Sequence, residues 1–246
     1  MKIVAFNSSP RSNDTSKTEL VLQKFLEGAR RAGASTETVY LRQYKINDCL
    51  GCFSCWLQDL GRCVQKDDMS AELFERYLAA DLAVLATPVY HLTMNARLKR
   101  FIERTMPMLD PLGLNEEGGH PFRFEKVPKL AVLSVCGNWD MSMFEALSLT
   151  MRKLCGPSLV AEIYRTSSEA LPLPEFKSQT DKILAATVRA GEELVRDGHI
   201  QEETMADLTM ELAPGAVMAE MARQWWLSAI KEAKHKKPPI GAIDQD

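Results

Sequence analysis

A doubly wound α/β domain, with five parallel strands in the order 2-1-3-4-5 and a helical C-terminal arm, is the fold this sequence predicts. Three observations carry it. Five apolar runs of strand length alternate with longer segments whose apolar residues recur at helical spacing, the pattern of a parallel sheet covered by helices on both faces. The runs are nearly continuous in apolar residues, as strands buried on both faces require. Three of them end in loops of unusual composition, and in such a sheet those loops meet beyond the carboxyl ends of the strands, where strand order reverses.

Ile3–Phe6 is the first strand, followed by a helix over Ser16–Arg31 with Leu20, Leu22, Phe25, Leu26 and Ala29 apolar and Gly33 near its end. Thr36–Leu41 reads as a strand, since Thr and Val favour extended backbone. Cys49–Asp67 is a loop rich in cysteine and glycine, and Asp67 or Asp68 can cap a helix over Asp68–Ala80. The buried-strand run Asp81–Thr87 is expected to stop at Pro88. Asn95–Met106 is a helix with Leu98, Phe101 and Ile102 on one face, and Pro107–Pro128, rich in Pro and Gly, is an irregular excursion. Lys129–Val135 (strand), Ser142–Leu154 (helix), Leu159–Tyr164 (strand) and Glu175–Arg196 (helix) complete the alternation. Residues 1–198 are therefore read as the domain. Residues 199–246 are read as an arm without independent folding, helical over Glu202–Leu212 and Pro214–Glu232, with a loose tail from Lys236 through Pro238 and Pro239. Trp225 and Trp226 suit a packing arm that covers this subunit or a partner, and covering a substrate is the other reading of the same pair.

At 246 residues the chain can bury a sizeable core. A net charge of −3 provides no field for nucleic acid, and the basic run Lys231–Lys237 reads as a solvated helix end. No apolar run approaches the roughly 20 residues that span a bilayer. The N-terminus is too short and too quickly polar for a secretory signal, so a cytoplasmic protein is expected. In a reducing compartment clustered cysteines point to metal or redox use rather than disulfides.

The first loop runs from Ser8-Ser9-Pro10-Arg11 to Ser16-Lys17-Thr18 and opens a helix. Hydroxyls, a guanidinium, an ammonium and the N–H groups of a helix start suit a phosphate. The glycines of a P-loop and of G-x-G-x-x-G are absent, which disfavours a triphosphate or a Rossmann-bound dinucleotide. The second loop is Thr87-Pro88-Val89-Tyr90-His91, a stiff apolar platform for the edge of a flat heterocycle, with His91 able to donate to a ring or meet a substrate. The third is Cys136-Gly137-Asn138-Trp139-Asp140, where Gly137 permits close backbone approach and Cys136 reads as a small buried residue.

A separate cluster is Cys49-x2-Cys52-x2-Cys55-x7-Cys63, followed by Asp67-Asp68-Met69. Thiolates at spacings of three suit a compact iron–sulfur cage. A zinc site, a Cys52–Cys55 redox pair and free packing thiols are the other readings of the same residues.

Together, S-P-R-x-x-x-x-S-K-T, T-P-V-Y-H and C-G-N-W resemble the NAD(P)H-dependent FMN reductase family of flavodoxin-like proteins, over about residues 1 to 200. More narrowly the chain is similar to the iron–sulfur flavoprotein branch, which carries a compact C-x2-C-x2-C-x(4–7)-C motif; many family members have S-N-T where this chain has Ser16-Lys17-Thr18. The resemblance implies FMN as cofactor, its phosphate held by Ser9, Arg11, Ser16, Lys17 and Thr18, and its ring lined by Pro88, Val89, Tyr90 and His91 on one edge and Cys136, Gly137 and Asn138 on another. It implies NAD(P)H as electron donor, a quinone, flavin or protein as acceptor, and a 4Fe–4S cluster on Cys49, Cys52, Cys55 and Cys63. A ferredoxin-like electron partner and a homo-dimer or tetramer also follow from it. No side chain is expected to act as a general base, because the flavin carries the chemistry. The alternative function is an electron-transfer protein that shuttles between redox partners without a substrate of its own.

Overall fold

The structure is a computed structural model that describes residues 1–12, 15–116 and 118–235; the expected loose tail lies outside the described residues. The parallel sheet is built from β1 (Lys2–Asn7), β2 (Ser35–Tyr40), β3 (Leu82–Tyr90), β5 (Lys129–Val135) and β6 (Leu159–Arg165), in the spatial order β2-β1-β3-β5-β6. In units of the parallel strands this is the 2-1-3-4-5 order. A sixth strand, β4 (Thr93–Met94), pairs antiparallel to the end of β3 and was not foreseen.

β3 also corrects the expected stop at Pro88. It runs through the proline to Tyr90, with Pro88 opposite Val135 of β5. The pairing with β1 ends at Asn7 opposite Ala86. Beyond that point β3 has a parallel partner on one side only, so the missing N–H of proline costs no ladder bond on the other.

Helix α1 (Lys17–Arg31) begins where the Ser16 hydroxyl accepts from Glu19 N, and Gly33 follows its end with a positive φ of 89°. It packs against α6 (Lys177–Arg196) with the backbones nearly touching. A Cβ on Gly28 would stand 1.8 Å from Val188 O, and one on Gly191 2.0 Å from Phe25 O. Two glycines inside good helical patterns are therefore contact residues and do not interrupt either helix. Short α2 (Ser54–Leu57) lies within the cysteine loop, and the segment expected as one helix from Asp68 is a π-turn over Met69–Leu73 that continues as α3 (Phe74–Leu78). Asn95 caps α4 (Ala96–Glu103), and α5 (Glu145–Cys155) precedes β6. The excursion after α4 is held by 3-10 turns at Met106–Met108 and Pro111–Gly113 and by a bridge between Leu109 and Phe122.

Two compact units are present, residues 1–210 and the remainder from Glu211. The sequence places helix α7 (Glu202–Thr209) in the arm, whereas the structure keeps it with the first unit. Buried Glu193 of α6 accepts from Gln201 N at 3.0 Å and from Thr204 Oγ1 at 2.8 Å, and buried Arg165 of β6 donates to Leu208 O and Met210 O at 2.9 and 2.7 Å. Helix α8 (Gly215–His235) forms the second unit's described element. Among the described residues no helix is long and apolar enough to cross a membrane.

Candidate functional site

The loop after β1 is built from inward-turned polar groups. Ser8 donates from both N and Oγ to Ala86 O, at 2.9 and 3.0 Å, and Ser9 N donates to Asn7 Oδ1 at 2.9 Å. Ser16 Oγ donates to Ser9 Oγ at 2.9 Å, so the helix cap also orders the hydroxyl at the loop's centre. Asn95, which the sequence reading used only as a helix start, joins the first two loops. Its Nδ2 donates to Ser8 O at 2.7 Å, its N to Thr87 Oγ1 at 3.2 Å, and its Oδ1 caps Leu98 N at 3.1 Å.

The second loop is the tip of the β3–β4 hairpin. Tyr90 pairs with Thr93 across the two residues His91 and Leu92, both in the left-handed region at φ 47° and 69°. Two-residue turns of this kind favour Asn and Gly. Here a histidine and a leucine carry the strain, and Tyr90 and Leu92 are left exposed.

The third loop follows β5. Burial pushes the Cys136 thiol up to about 11, and its Sγ donates to Asn138 O at 3.3 Å, so this cysteine is a neutral donor at neutral pH. The loop after β6 closes against it: Ser168 N donates to Cys136 O at 2.9 Å and Ser167 N to Asn138 O at 2.7 Å.

These loops bound one pocket, lined by Ser9, Arg11, Lys17, Thr18, Pro88, Val89, Tyr90, Val135, Cys136, Gly137, Ser168 and Glu169. Nine residues singled out in the sequence meet there. Ser16, His91 and Asn138 do not line it. Ser16 is spent on the cap and on Ser9, His91 sits at the exposed hairpin tip, and the Asn138 side chain accepts from Asp140 N at 2.8 Å. Val135, Ser168 and Glu169 went unnoticed. The last two belong to the loop after the edge strand, which the rule of strand-order reversal does not single out. Glu169 changes the electrostatics of the pocket: its Oε1 accepts from Arg11 Nη1 at 2.6 Å, both side chains being about half exposed. Arg11 is thus held across the pocket by a carboxylate. The lining combines hydroxyls, Lys17 and a helix start with the apolar Pro88, Val89 and Val135, a set that fits a phosphate-bearing ligand with a flat ring.

The cysteine loop leaves the same carboxyl edge of the sheet, after β2. All four of its thiols are free; Cys49 and Cys52 are exposed, Cys55 and Cys63 half-buried. The Ser54 hydroxyl and amide hold the Cys52 thiol below its usual range, while burial and the neighbouring Cys63 push Cys55 up. Trp56 anchors the loop, donating from Nε1 to Met106 O at 3.1 Å and packing on His120 at 4.8 Å between ring centres. Among the described residues the cysteines form no ready-made metal cage. Their chemistry, four unpaired thiols on one loop with a buried guanidinium beside Cys63, fits a soft metal or an iron–sulfur cluster.

Comparison with known proteins agrees with this geometry. An iron–sulfur flavoprotein of Archaeoglobus fulgidus is 37% identical over 107 residues, 44% of this chain and 46% of that protein, so the match spans about half the length of the relative. Among solved structures, NAD(P)H:quinone oxidoreductase from Methanothermobacter marburgensis superposes with a TM-score of 0.57 at 20% identity, over 79% of this chain and 96% of that one. An FMN-dependent NADH-azoreductase from Bacillus anthracis, in complex with FMN, gives a TM-score of 0.57 at 16% identity, over 79% and 99%. These two show the shared fold. Residues 1–144, which include β1, the phosphate-type loop, the cysteine loop and the β3 hairpin, match the family described as NADPH-dependent FMN reductase, and the chain belongs to that family.

Proposed function

We propose that this protein is an NAD(P)H-dependent flavin oxidoreductase that holds FMN in the pocket between the loops after β1, β3, β5 and β6. The observation that supports this best is the convergence of Ser9, Lys17 and Thr18 at the start of α1 with Pro88, Val89 and Gly137 in one pocket. Bound FMN would supply hydride acceptance from the nicotinamide and delivery of electrons to a quinone, flavin or protein acceptor.

The chain's own part is binding and orientation. Ser9 and Thr18 would donate hydroxyl hydrogen bonds to the phosphate, with Lys17 and Arg11 neutralising its charge through short charge-assisted bonds. Pro88 and Val89 would hold the ring on a stiff apolar edge. A Cβ at Gly137 would make ordinary contact at 3.5 Å with Glu169 Cγ, so no neighbour within the chain itself demands glycine there. Cys136, as a neutral thiol, adds no charge to the lining.

Cys49, Cys52, Cys55 and Cys63 would hold a 4Fe–4S cluster, and the name of the Archaeoglobus relative supports this reading. A cluster on an exposed loop would suit a ferredoxin-like electron partner. The exposed Trp225 and Trp226 of α8 support assembly into a homo-dimer or tetramer.

Anaerobically purified protein, assayed for FMN, iron and acid-labile sulfide on one sample, tests both cofactors. Turnover of NADH or NADPH with a quinone then tests the activity. Flavin-loaded protein that oxidises neither nicotinamide would leave an electron carrier in place of the enzyme.

A further inference from the structure

The cysteine loop is closed at its neck by one buried ion pair. Arg104, at the end of α4, donates from Nη1 to Asp67 Oδ2 at 2.6 Å and from Nη2 to Asp67 Oδ1 at 3.0 Å, and the two side chains are 1% and 0% exposed. The same guanidinium reaches Asn47 O and Ser70 Oγ, each at 3.0 Å, and Asp67 also accepts from Asn47 N at 2.8 Å. Asn47 lies two residues before Cys49 and Asp67 four after Cys63, so entry and exit of the loop are tied to one bidentate pair. Outside it, Lys45 N donates to Asp68 Oδ2 at 2.6 Å and Asp68 N to Lys45 O at 3.1 Å.

Four of the five guanidinium N–H groups face these partners, and the fifth does not. Among the described residues, Arg104 Nε is buried with no acceptor at hydrogen-bond distance. An orphaned N–H on a buried cation is uncommon and calls for a cause. The neighbour that can supply an acceptor is Cys63, whose side chain stands beside the guanidinium. A thiol is a weak acceptor, whereas a thiolate bound to metal is a strong one.

We propose that Arg104 is a positioning residue of the cysteine loop, its Nε–H held in place by Asp67 to donate to the Cys63 sulfur when that sulfur binds metal. This rests on the reading that the four cysteines hold a metal or cluster. Cys63 is then the anchored member of the set, and the exposed Cys49 and Cys52 close onto it. The bond would stabilise added negative charge on the cluster and so raise its reduction potential, one of the protein's known levers on such centres.

The full-length protein, handled anaerobically, tests this with two probes: cobalt(II), followed by thiolate-to-metal charge-transfer absorption, and reconstitution with iron and sulfide, followed by redox titration. Arg104→Lys keeps a cation for Asp67 and removes the Nε–H. The expected result is cobalt(II) affinity roughly 10–100-fold weaker, the range for loss of an outer-shell partner, and a lower cluster potential at unchanged iron content. Should R104K not fold, as judged by FMN content and circular dichroism, Asp67→Asn loosens the same guanidinium and is expected to lower both quantities. Wild-type protein that binds metal as tightly, and at the same potential, as the folded variant overturns this inference and leaves the cluster reading standing. A wild type that takes up neither cobalt(II) nor iron overturns both.

Discussion

Arg11 and Glu169 set the sharpest residue-scale question, because a basic side chain suited to a phosphate is paired with a carboxylate in the same pocket. An exposed pair of this kind contributes about 0.2–1 kcal/mol, less than the roughly 1.5–3 kcal/mol of a hydrogen bond to a charged ligand group. A phosphate therefore wins Arg11 from Glu169. Arg11→Ala and Thr18→Ala should each weaken FMN binding by about 1–3 kcal/mol. Glu169→Gln should tighten it by up to about 1 kcal/mol. Fluorescence titration of apoprotein with FMN measures all three, and unchanged affinity in the first two would place the phosphate elsewhere.

The cysteines separate by environment at the same scale. Burial holds Cys136 as a thiol up to about pH 11, and the exposed Cys52 has its thiolate favoured by Ser54. Iodoacetamide on metal-free protein at pH 8 should label Cys52 well before Cys136, read by peptide mass spectrometry. The loop neck is pH-dependent. Burial pushes the Asp67 carboxyl up, but Arg104 and the amides of Asn47 and Ser70 outweigh it and hold the group below the usual carboxylate range. A depressed carboxyl contributes stability in full above its unfolded value of about 3.9 and loses it as pH falls through the native value. Wild type should lose stability over that acid range, and Asp67→Asn should lose less. Parallel acid titrations would refute the assignment.

At the scale of elements, α1 and α6 cross closely near the C-terminal end of α1, at Gly28 and Gly191. Gly28→Ala would press a methyl group into the backbone of α6, so the helices must separate. The expected loss is about 1–3 kcal/mol, the range for overpacking, measured as a lower urea midpoint with unchanged slope. Because α1 carries Lys17 and Thr18, FMN affinity should fall with it. Alanine ordinarily improves a helix, so an increase in stability would show that this contact is not made. These glycines were not legible as contacts from sequence, since helical periodicity says which face is buried but not how closely the neighbour approaches. The β3 hairpin was hidden for a related reason: His91 and Leu92 are poor residues for left-handed backbone, and no local rule places a turn there.

For the whole molecule, the exposed face of α8 bears on assembly. Trp225 and Trp226 are 61% and 58% exposed and stack edge-on at 4.6 Å, with Ile230 exposed further along the helix. If α8 is the surface through which copies associate, Trp225→Glu combined with Trp226→Glu should reduce the mass seen by light scattering to that of one chain. The sequence by itself determined the parallel sheet, its strand order and the three loops at its carboxyl edge, because apolar runs and helix-opening polar residues are local signals with one global solution. Tertiary structure decided which of those residues share a wall. It moved Ser16 and Asn138 to supporting hydrogen bonds, set His91 outside the pocket, and brought Ser168 and Glu169 in from the loop after β6. It also joined Asn47, Asp67 and Arg104 at the neck of the cysteine loop. The Arg11–Glu169 pair and the contacts at the loop neck link residues 20 to 158 positions apart. They depend on how the elements pack, and no periodicity or spacing along the chain encodes them.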